Sequence, residues 1–164
     1  MPMGEVPYDV REVCMNAKNS IVIDRPIDEV FAYVSNVENM PRWVSGVRRA
    51  RLLSKRLKAG ARFSAEYAEG LRSAHIDFSV VEFDPPRRFV TRSERGPFSF
   101  PFRGTFEFRS VPDGTEVTTD IDTGGESLAT RLADLLFGPV VRRGFQRRLR
   151  EELMALKSGL TTRK

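Results

Sequence analysis

The stretch Phe98-Ser-Phe-Pro-Phe-Arg-Gly-Thr-Phe-Glu-Phe108 alternates between aromatic and polar side chains along almost its whole length. Its even-numbered positions are phenylalanine except for Gly104, and its odd-numbered positions are Ser, Pro, Arg, Thr and Glu. Such alternation is typical of a β-strand, because successive side chains of a strand point to opposite faces of the sheet. We therefore predict an antiparallel strand over Phe98–Arg109 with one covered, aromatic face and one polar face.

Further strands are predicted on both sides of this stretch. They are separated by short turns rich in Gly, Pro and Asp, such as Asp84-Pro85-Pro86 and Pro112-Asp113-Gly114. Connections this short place consecutive strands side by side and antiparallel. The other strands predicted after Gly46 are Val47–Lys55, Ala61–Glu69, Arg72–Phe83, Arg88–Arg95 and Thr115–Thr123.

The chain before Gly46 predicts one strand followed by two short helices. We expect Val10–Ile23 to be extended, because it ends in a β-branched run. Pro26 suits the first turn of a helix that continues to about Asn36. A second short helix or turn over Asn39–Trp43 places the only tryptophan. The apolar residues at helical spacing in the first helix are Ile27, Val30, Phe31 and Val34.

A long amphipathic helix is predicted from about Glu126 to the end of the domain. Pro139 lies inside it and removes a backbone hydrogen-bond donor, so we predict a kink or break with a hinge at Gly138-Pro139. The apolar residues near one stripe of this helix are Leu128, Leu132, Leu135, Leu136, Val140, Phe145, Leu149, Leu153 and Leu156.

These elements predict an α+β fold with a cavity. Seven antiparallel strands with one apolar face need a covering layer, and the C-terminal helix is the only predicted element long enough. We therefore predict a curved seven-stranded sheet wrapped around that helix. Because one helix does not fill the concavity of seven strands, an apolar cavity is expected between them. The predicted domain spans residues 10–160, with a loose arm at 1–9 and a tail at 161–164.

The element order, together with Ser20-Ile-Val-Ile-Asp-Arg-Pro-Ile-Asp-Glu-Val-Phe-Ala-Tyr-Val34 and Met40-Pro-Arg-Trp43, resembles the START-like superfamily, also called the SRPBCC or Bet v-type helix-grip fold. More narrowly, the chain is similar to the bacterial polyketide cyclase/dehydrase group over about residues 15–157. The Asp84-Pro85-Pro86-Arg87 turn and the Gly60-Ala-Arg-Phe63 strand start match that group too. The resemblance implies a helix-grip fold and an apolar ligand, but no universal catalytic residues.

We interpret the protein as a binder or carrier of an apolar small molecule such as a lipid, a quinone or a polyketide-like aromatic. Two alternatives stay open. One is a polyketide cyclase or dehydratase without metal or cofactor, using Tyr67, Thr91 and Thr119 as polar groups. The other is an interaction module that uses the basic C-terminal helix. The expected ligand-binding residues are Trp43, Phe63, Tyr67, Phe78, Val80, Phe100, Phe102, Phe106, Leu132, Leu136 and Val140.

The sequence predicts no catalytic residue, metal or cofactor. His75, the only histidine, shares strand parity with Asp77 and Ser79 and should point outward, which argues against a general base. One histidine and Cys14, far apart in the chain, do not make a zinc site. Neither a phosphate-binding glycine loop nor a serine nucleophile elbow occurs.

The net charge of +5 is concentrated in one segment. Pro139–Lys164 holds eight basic residues and two acidic ones, so the rest of the chain is nearly neutral. A solvated helix face is the simplest interpretation, and peripheral contact with an anionic membrane is the sharper one. Basic residues alone are weak evidence for a nucleic-acid site without aromatic side chains interleaved on an exposed face, so nucleic acid is not the expected partner. Both a monomer and a homodimer fit the sequence.

A cytoplasmic location is predicted. No apolar run approaches the roughly 20 residues that a membrane-spanning helix needs. Met1–Asp9 lacks the basic and apolar regions of a signal peptide. The single cysteine suits a reducing compartment.

Overall fold

The computed structural model describes residues 15–69, 72–93, 102–123 and 128–162, and seven strands in these ranges form one antiparallel sheet. The spatial order is β1-β7-β6-β5-β4-β3-β2, so strands joined by short turns are neighbours and β1 returns to pair with β7. The predicted α+β, helix-grip architecture is confirmed. The strands are β1 Met15–Ile23, β2 Val47–Leu52, β3 Arg62–Glu69, β4 Arg72–Asp84, β5 Arg88–Ser93, β6 Phe102–Val111 and β7 Gly114–Thr123.

Two short helices connect β1 to β2, as predicted: α1 spans Ile27–Ser35 and a 3₁₀ helix spans Val37–Arg42. Pro26 lies immediately before α1, and the acidic residues of the first turn face the positive end of the helix dipole. Phe31 of α1 contacts Phe83 and Phe108 with ring centroids 5.5 and 5.1 Å apart. α1 therefore packs against aromatic side chains of the sheet.

The aromatic alternation of β6 is confirmed where the strand is described. Gly104 and Phe108 are buried, and Phe102 and Phe106 pack partly buried against the core. Arg103 on the intervening parity is exposed. The predicted start of this strand, residues 98–101, lies outside the described residues, as do 94–95 of the preceding predicted strand.

The C-terminal helix, α2, spans Leu128–Thr161 and packs mainly against β1. It runs through Pro139 without interruption, so the predicted break and two-helix hinge are wrong. Proline removes one main-chain hydrogen bond, and the bonds on either side are enough to keep the helix continuous. The residues of α2 that join the main core are Leu153, Leu156 and Leu160.

Candidate ligand cavity

A small apolar cavity of about 50 Å³ lies between the inner face of the sheet, the 3₁₀ helix and α2. Six residues that the sequence predicted as ligand-binding line it: Trp43, Phe63, Tyr67, Phe78, Phe102 and Phe106. The lining residues that the sequence analysis did not assign to the ligand site are Val34, Val37, Met40, Val44, Phe89, Ile121, Leu149 and Glu152. Periodicity shows that these side chains point inward, but not which of them border empty space.

The other five predicted residues do not contribute to the described lining. Val80 is buried in the core without bordering the cavity. Val140 is 75% exposed, which corrects its predicted place at the cavity. It precedes the inward-facing Leu149 by nine residues, or two and a half helical turns, and so lies on the opposite side of α2. Phe100 lies outside the described residues, and the side chains of Leu132 and Leu136 do too.

Packed aromatic rings form much of the cavity wall. Phe63 and Phe78 stack with centroids 4.8 Å apart and planes 7° from parallel. Phe106 contacts Phe89 at 5.8 Å and meets the Trp43 ring edge-on at 6.0 Å. Such pairs add stability beyond the area they bury and restrict the rings to defined positions. The wall is therefore rigid and apolar.

Five side chains with polar atoms interrupt this apolar wall: Trp43, Tyr67, Thr91, Thr119 and Glu152. The Thr91 and Thr119 side chains are buried and line the cavity, and so does the Trp43 ring. Trp43 Nε1 and Thr119 Oγ1 have no hydrogen-bond partner in the described part of the chain. Buried polar groups normally find a partner, because leaving them unpaired is costly. These two atoms are therefore candidate contacts for the polar atoms of a ligand.

Glu152 brings a carboxylate to the cavity from α2. Its Oε1 accepts a hydrogen bond from the Ser45 main-chain N–H at 3.0 Å and another from Arg148 Nε at 3.4 Å. Arg148 Nη2 also donates to the Ser45 carbonyl at 2.9 Å. These bonds tie α2 to the loop between the 3₁₀ helix and β2. The pattern that could have revealed Glu152 is an acid three residues after Leu149 in the apolar stripe of α2.

Burial changes the proton affinity of two cavity groups. It raises the pKa of the Glu152 carboxyl, an effect that the bonds from Ser45 and Arg148 partly offset. It also raises the pKa of the Tyr67 hydroxyl, with a further increase from the nearby Glu152 charge. Tyr67 therefore stays protonated at neutral pH, while Glu152 holds its proton to a higher pH than an exposed glutamate does.

Glu152→Gln is expected to reduce the pH dependence of stability. Between the ordinary glutamate pKa and the raised pKa of Glu152, the folded state binds more protons than the unfolded state. The stability that the Glu152 carboxyl contributes to the wild type is therefore present at low pH. It is lost as the pH rises through the pKa of Glu152 in the folded protein. Urea unfolding from about pH 4 to about pH 8 measures this effect. The free energy of unfolding of the variant, relative to that of wild type, should increase as pH rises.

The control for this measurement is Glu151→Gln, because the Glu151 side chain is 63% exposed and pairs with Arg147 on the outer side of α2. It removes the same formal charge without touching the cavity. A stability difference between Glu152→Gln and wild type that stays constant with pH would contradict the assignment.

The outward orientation predicted for His75 agrees with the structure, in which His75 and Asp77 are exposed and Ile76 is buried between them. Within residues 15–69, 72–93, 102–123 and 128–162, no three His, Cys, Asp or Glu side chains come together as a metal site. Cys14 lies outside those ranges.

A wider cleft of about 460 Å³ lies on the other side of the sheet. Its walls carry paired charges: Arg109 bonds Glu116 at 2.7 Å, and Arg88 bonds Glu107. Arg87 pairs with Asp84 at 3.2 Å. Exposed pairs of this kind contribute little to stability and already satisfy one another. The charged groups of the cleft are therefore largely paired with one another.

A known family accounts for this architecture. The family described as "Polyketide cyclase / dehydrase and lipid transport" matches residues 15–161. The chain belongs to this family. The match covers all seven strands and the whole of α2, which bears out the resemblance drawn from the sequence. No curated protein matches the chain.

Solved structures share the fold of this family member at low sequence identity. A START superfamily protein from Mycobacterium smegmatis is 16% identical, with a TM-score of 0.71, and the match covers 91% of this chain and 99% of that one. TTHA0849 from Thermus thermophilus is 17% identical, with a TM-score of 0.69 and coverages of 90% and 97%. The di-domain ARO/CYC BexL from the BE-7585A biosynthetic pathway is 17% identical, with a TM-score of 0.70 and coverages of 93% and 52%.

Among the described helices of this family member, none is both long enough and apolar enough to cross a membrane.

Proposed function

We propose that the protein binds an apolar small molecule, such as a lipid, a quinone or a polyketide-like aromatic, in the cavity between the sheet and α2. The observation that carries the proposal is the pair of buried, unpaired polar atoms, Trp43 Nε1 and Thr119 Oγ1, in a largely apolar wall. A ligand with an apolar body and one oxygen would bury its body among the rings and pair these atoms. The family description, which includes lipid transport, supports the same function.

The cavity volume implies that ligand binding is accompanied by movement. About 50 Å³ accommodates a few water molecules, whereas sites for drug-sized ligands enclose roughly 300 Å³ or more. Hydrogen bonds among Ser45, Arg148 and Glu152 hold α2 against the loop before β2. These hydrogen bonds are exposed or partly exposed. We infer that their opening lets α2 move from the sheet and enlarges the cavity.

The binding proposal predicts that Thr119→Val weakens affinity for a ligand that carries an oxygen. Removing one hydrogen bond should raise the Kd for dansyl-aminoundecanoic acid by about 2–10-fold, measured by fluorescence titration. Thr118→Val is the matched control, because Thr118 lies next along β7 and bonds Ser20 at 2.9 Å on the opposite face. Absence of any saturable binding by the wild type, together with no co-purified small molecule in native mass spectrometry, would refute the function.

A second candidate function is cyclisation or dehydration of a polyketide-like substrate. Tyr67, Thr91 and Thr119, the polar groups that this alternative requires, all line the cavity, and Glu152 joins them. A carboxylate with a raised pKa is suited to take a proton from a carbon next to a carbonyl, and a protonated tyrosine is suited to donate a hydrogen bond to that carbonyl.

Product analysis separates the two candidate functions. If the protein is an enzyme, it converts a short poly-β-ketone thioester to a cyclised product, and Glu152→Gln lowers that rate by about 100-fold or more. Substrate affinity should change much less than the rate. If the protein is a carrier, the substrate is recovered unchanged from both wild type and variant.

A further inference from the structure

We propose that the outward side of α2 docks on a membrane rich in anionic phospholipid. The surface concerned, which we call the basic stripe, consists of Val140, Arg143, Arg147, Arg150, Met154 and Lys157. Its members are three or four residues apart, so the helical repeat aligns them in one row about 26 Å long. The proposal is independent of what the cavity binds.

The basic stripe faces away from the body of the protein. All six of its side chains are exposed, whereas Leu149, Leu153 and Leu156 on a separate side of α2 are buried. Every member of the stripe is therefore accessible from solvent, and docking requires no unfolding of α2.

The charge of the stripe is largely uncompensated. Arg147 pairs with Glu151 at 3.0 Å, with side chains 82% and 63% exposed. Arg143, Arg150 and Lys157 form no ion pair with another described residue. The surface thus carries four cations and one adjacent carboxylate, a net charge of +3. An anionic bilayer surface attracts such a cluster, and the attraction weakens within a Debye length.

The apolar members of the stripe favour a membrane over a nucleic acid. Val140 is 75% exposed and Met154 is 56% exposed, and both lie in the same row as the cations. The headgroup region of a bilayer accommodates basic and apolar side chains together. Single-stranded nucleic acid is instead bound by aromatic side chains beside basic ones, and the stripe has no aromatic member.

Vesicle sedimentation tests the proposal with the full chain. We expect binding to vesicles of phosphatidylcholine with about 30% phosphatidylglycerol, weak binding to phosphatidylcholine alone, and loss of binding as salt is raised. The quadruple variant Arg143→Gln, Arg147→Gln, Arg150→Gln, Lys157→Gln should lower the partition coefficient at least about tenfold. The double variant Arg143→Gln, Arg150→Gln should give an intermediate loss and serves if the quadruple variant does not fold.

The matched control removes four exposed cations from another place: Arg49→Gln, Arg51→Gln, Lys55→Gln and Lys58→Gln, in β2 and the loop after it. It has the same net charge as the quadruple variant and should bind the anionic vesicles within about twofold of wild type. An equal loss in the control would overturn the proposal, since net charge alone would then explain binding. Stripe-dependent binding to a mixed-sequence single-stranded RNA, with no vesicle binding, would overturn it too.

Discussion

Phe63→Ala is expected to lower the free energy of unfolding by about 3–5 kcal/mol and to enlarge the cavity. Phe63 is only 2% exposed, stacks on Phe78 and borders the cavity from β3. Loss of the ring removes its burial and its stacking contact, and a rigid wall of packed rings collapses only partly into the space left. Urea unfolding measures the loss of stability.

The same variant tests whether the cavity takes an apolar ligand. With the extra space, naphthalene or a similar ring compound should bind Phe63→Ala more tightly than wild type and should raise its Tm. Leu156→Ala is the control, since Leu156 is fully buried in the core on α2 but does not border the cavity. Leu156→Ala should lower the free energy of unfolding by about 2–5 kcal/mol without increasing the affinity for naphthalene. Equal naphthalene affinity in wild type and Phe63→Ala would count against the cavity as the ligand site.

Gly114→Ala is expected to destabilise the protein by about 2–6 kcal/mol, from backbone strain and steric overlap together. Gly114 begins β7 with a φ of +126°, a backbone conformation that residues other than glycine rarely adopt. An added Cβ would lie 2.1 Å from the Ile23 carbonyl oxygen and 2.9 Å from Asp24 Cα. Both are main-chain atoms, one in the last residue of β1 and one in the residue after it, so the overlap is relieved only by separating this end of β1 from the β6–β7 turn.

Gly60→Ala separates the two contributions to this loss. Gly60 also has a positive φ, of +81°, but nothing lies within 4 Å of the position that its Cβ would take. It should therefore show the conformational strain alone, about 1–2 kcal/mol. Thermal or urea unfolding of both variants gives the comparison. A loss in Gly114→Ala no larger than that in Gly60→Ala would show that β1 moves aside without cost.

Local patterns were sufficient to predict most of the fold. The alternation over Phe102–Phe108 determined which face of β6 is covered, and short turns determined which strands are neighbours. The same parity argument placed His75 on the outer face. These inferences succeed because side-chain direction in a strand depends only on sequence position.

Two sequence-based predictions about α2 failed, and both concerned the segment around Pro139. The helix continues through the proline, and Val140 faces outward although it was grouped with the apolar stripe. Helical phase has to be counted accurately over several turns, because a 100° error in one residue moves a side chain from the core to solvent. Glu152 was missed for a different reason. Its position on α2 was not considered, because it was counted only as one of the two acidic residues of the basic segment.

The amino-acid sequence alone determined the strands, their antiparallel order, the long closing helix and the inner parity of the aromatic residues. Each of these depends on periods of 2 or 3.6 residues and on short turns, which are local properties. Tertiary structure alone decided the cavity volume and the joining of Ser45 to Glu152, residues 107 positions apart. A cavity is the small difference between two large volumes, and a bond between distant residues depends on how whole elements pack, so neither is encoded in any local pattern.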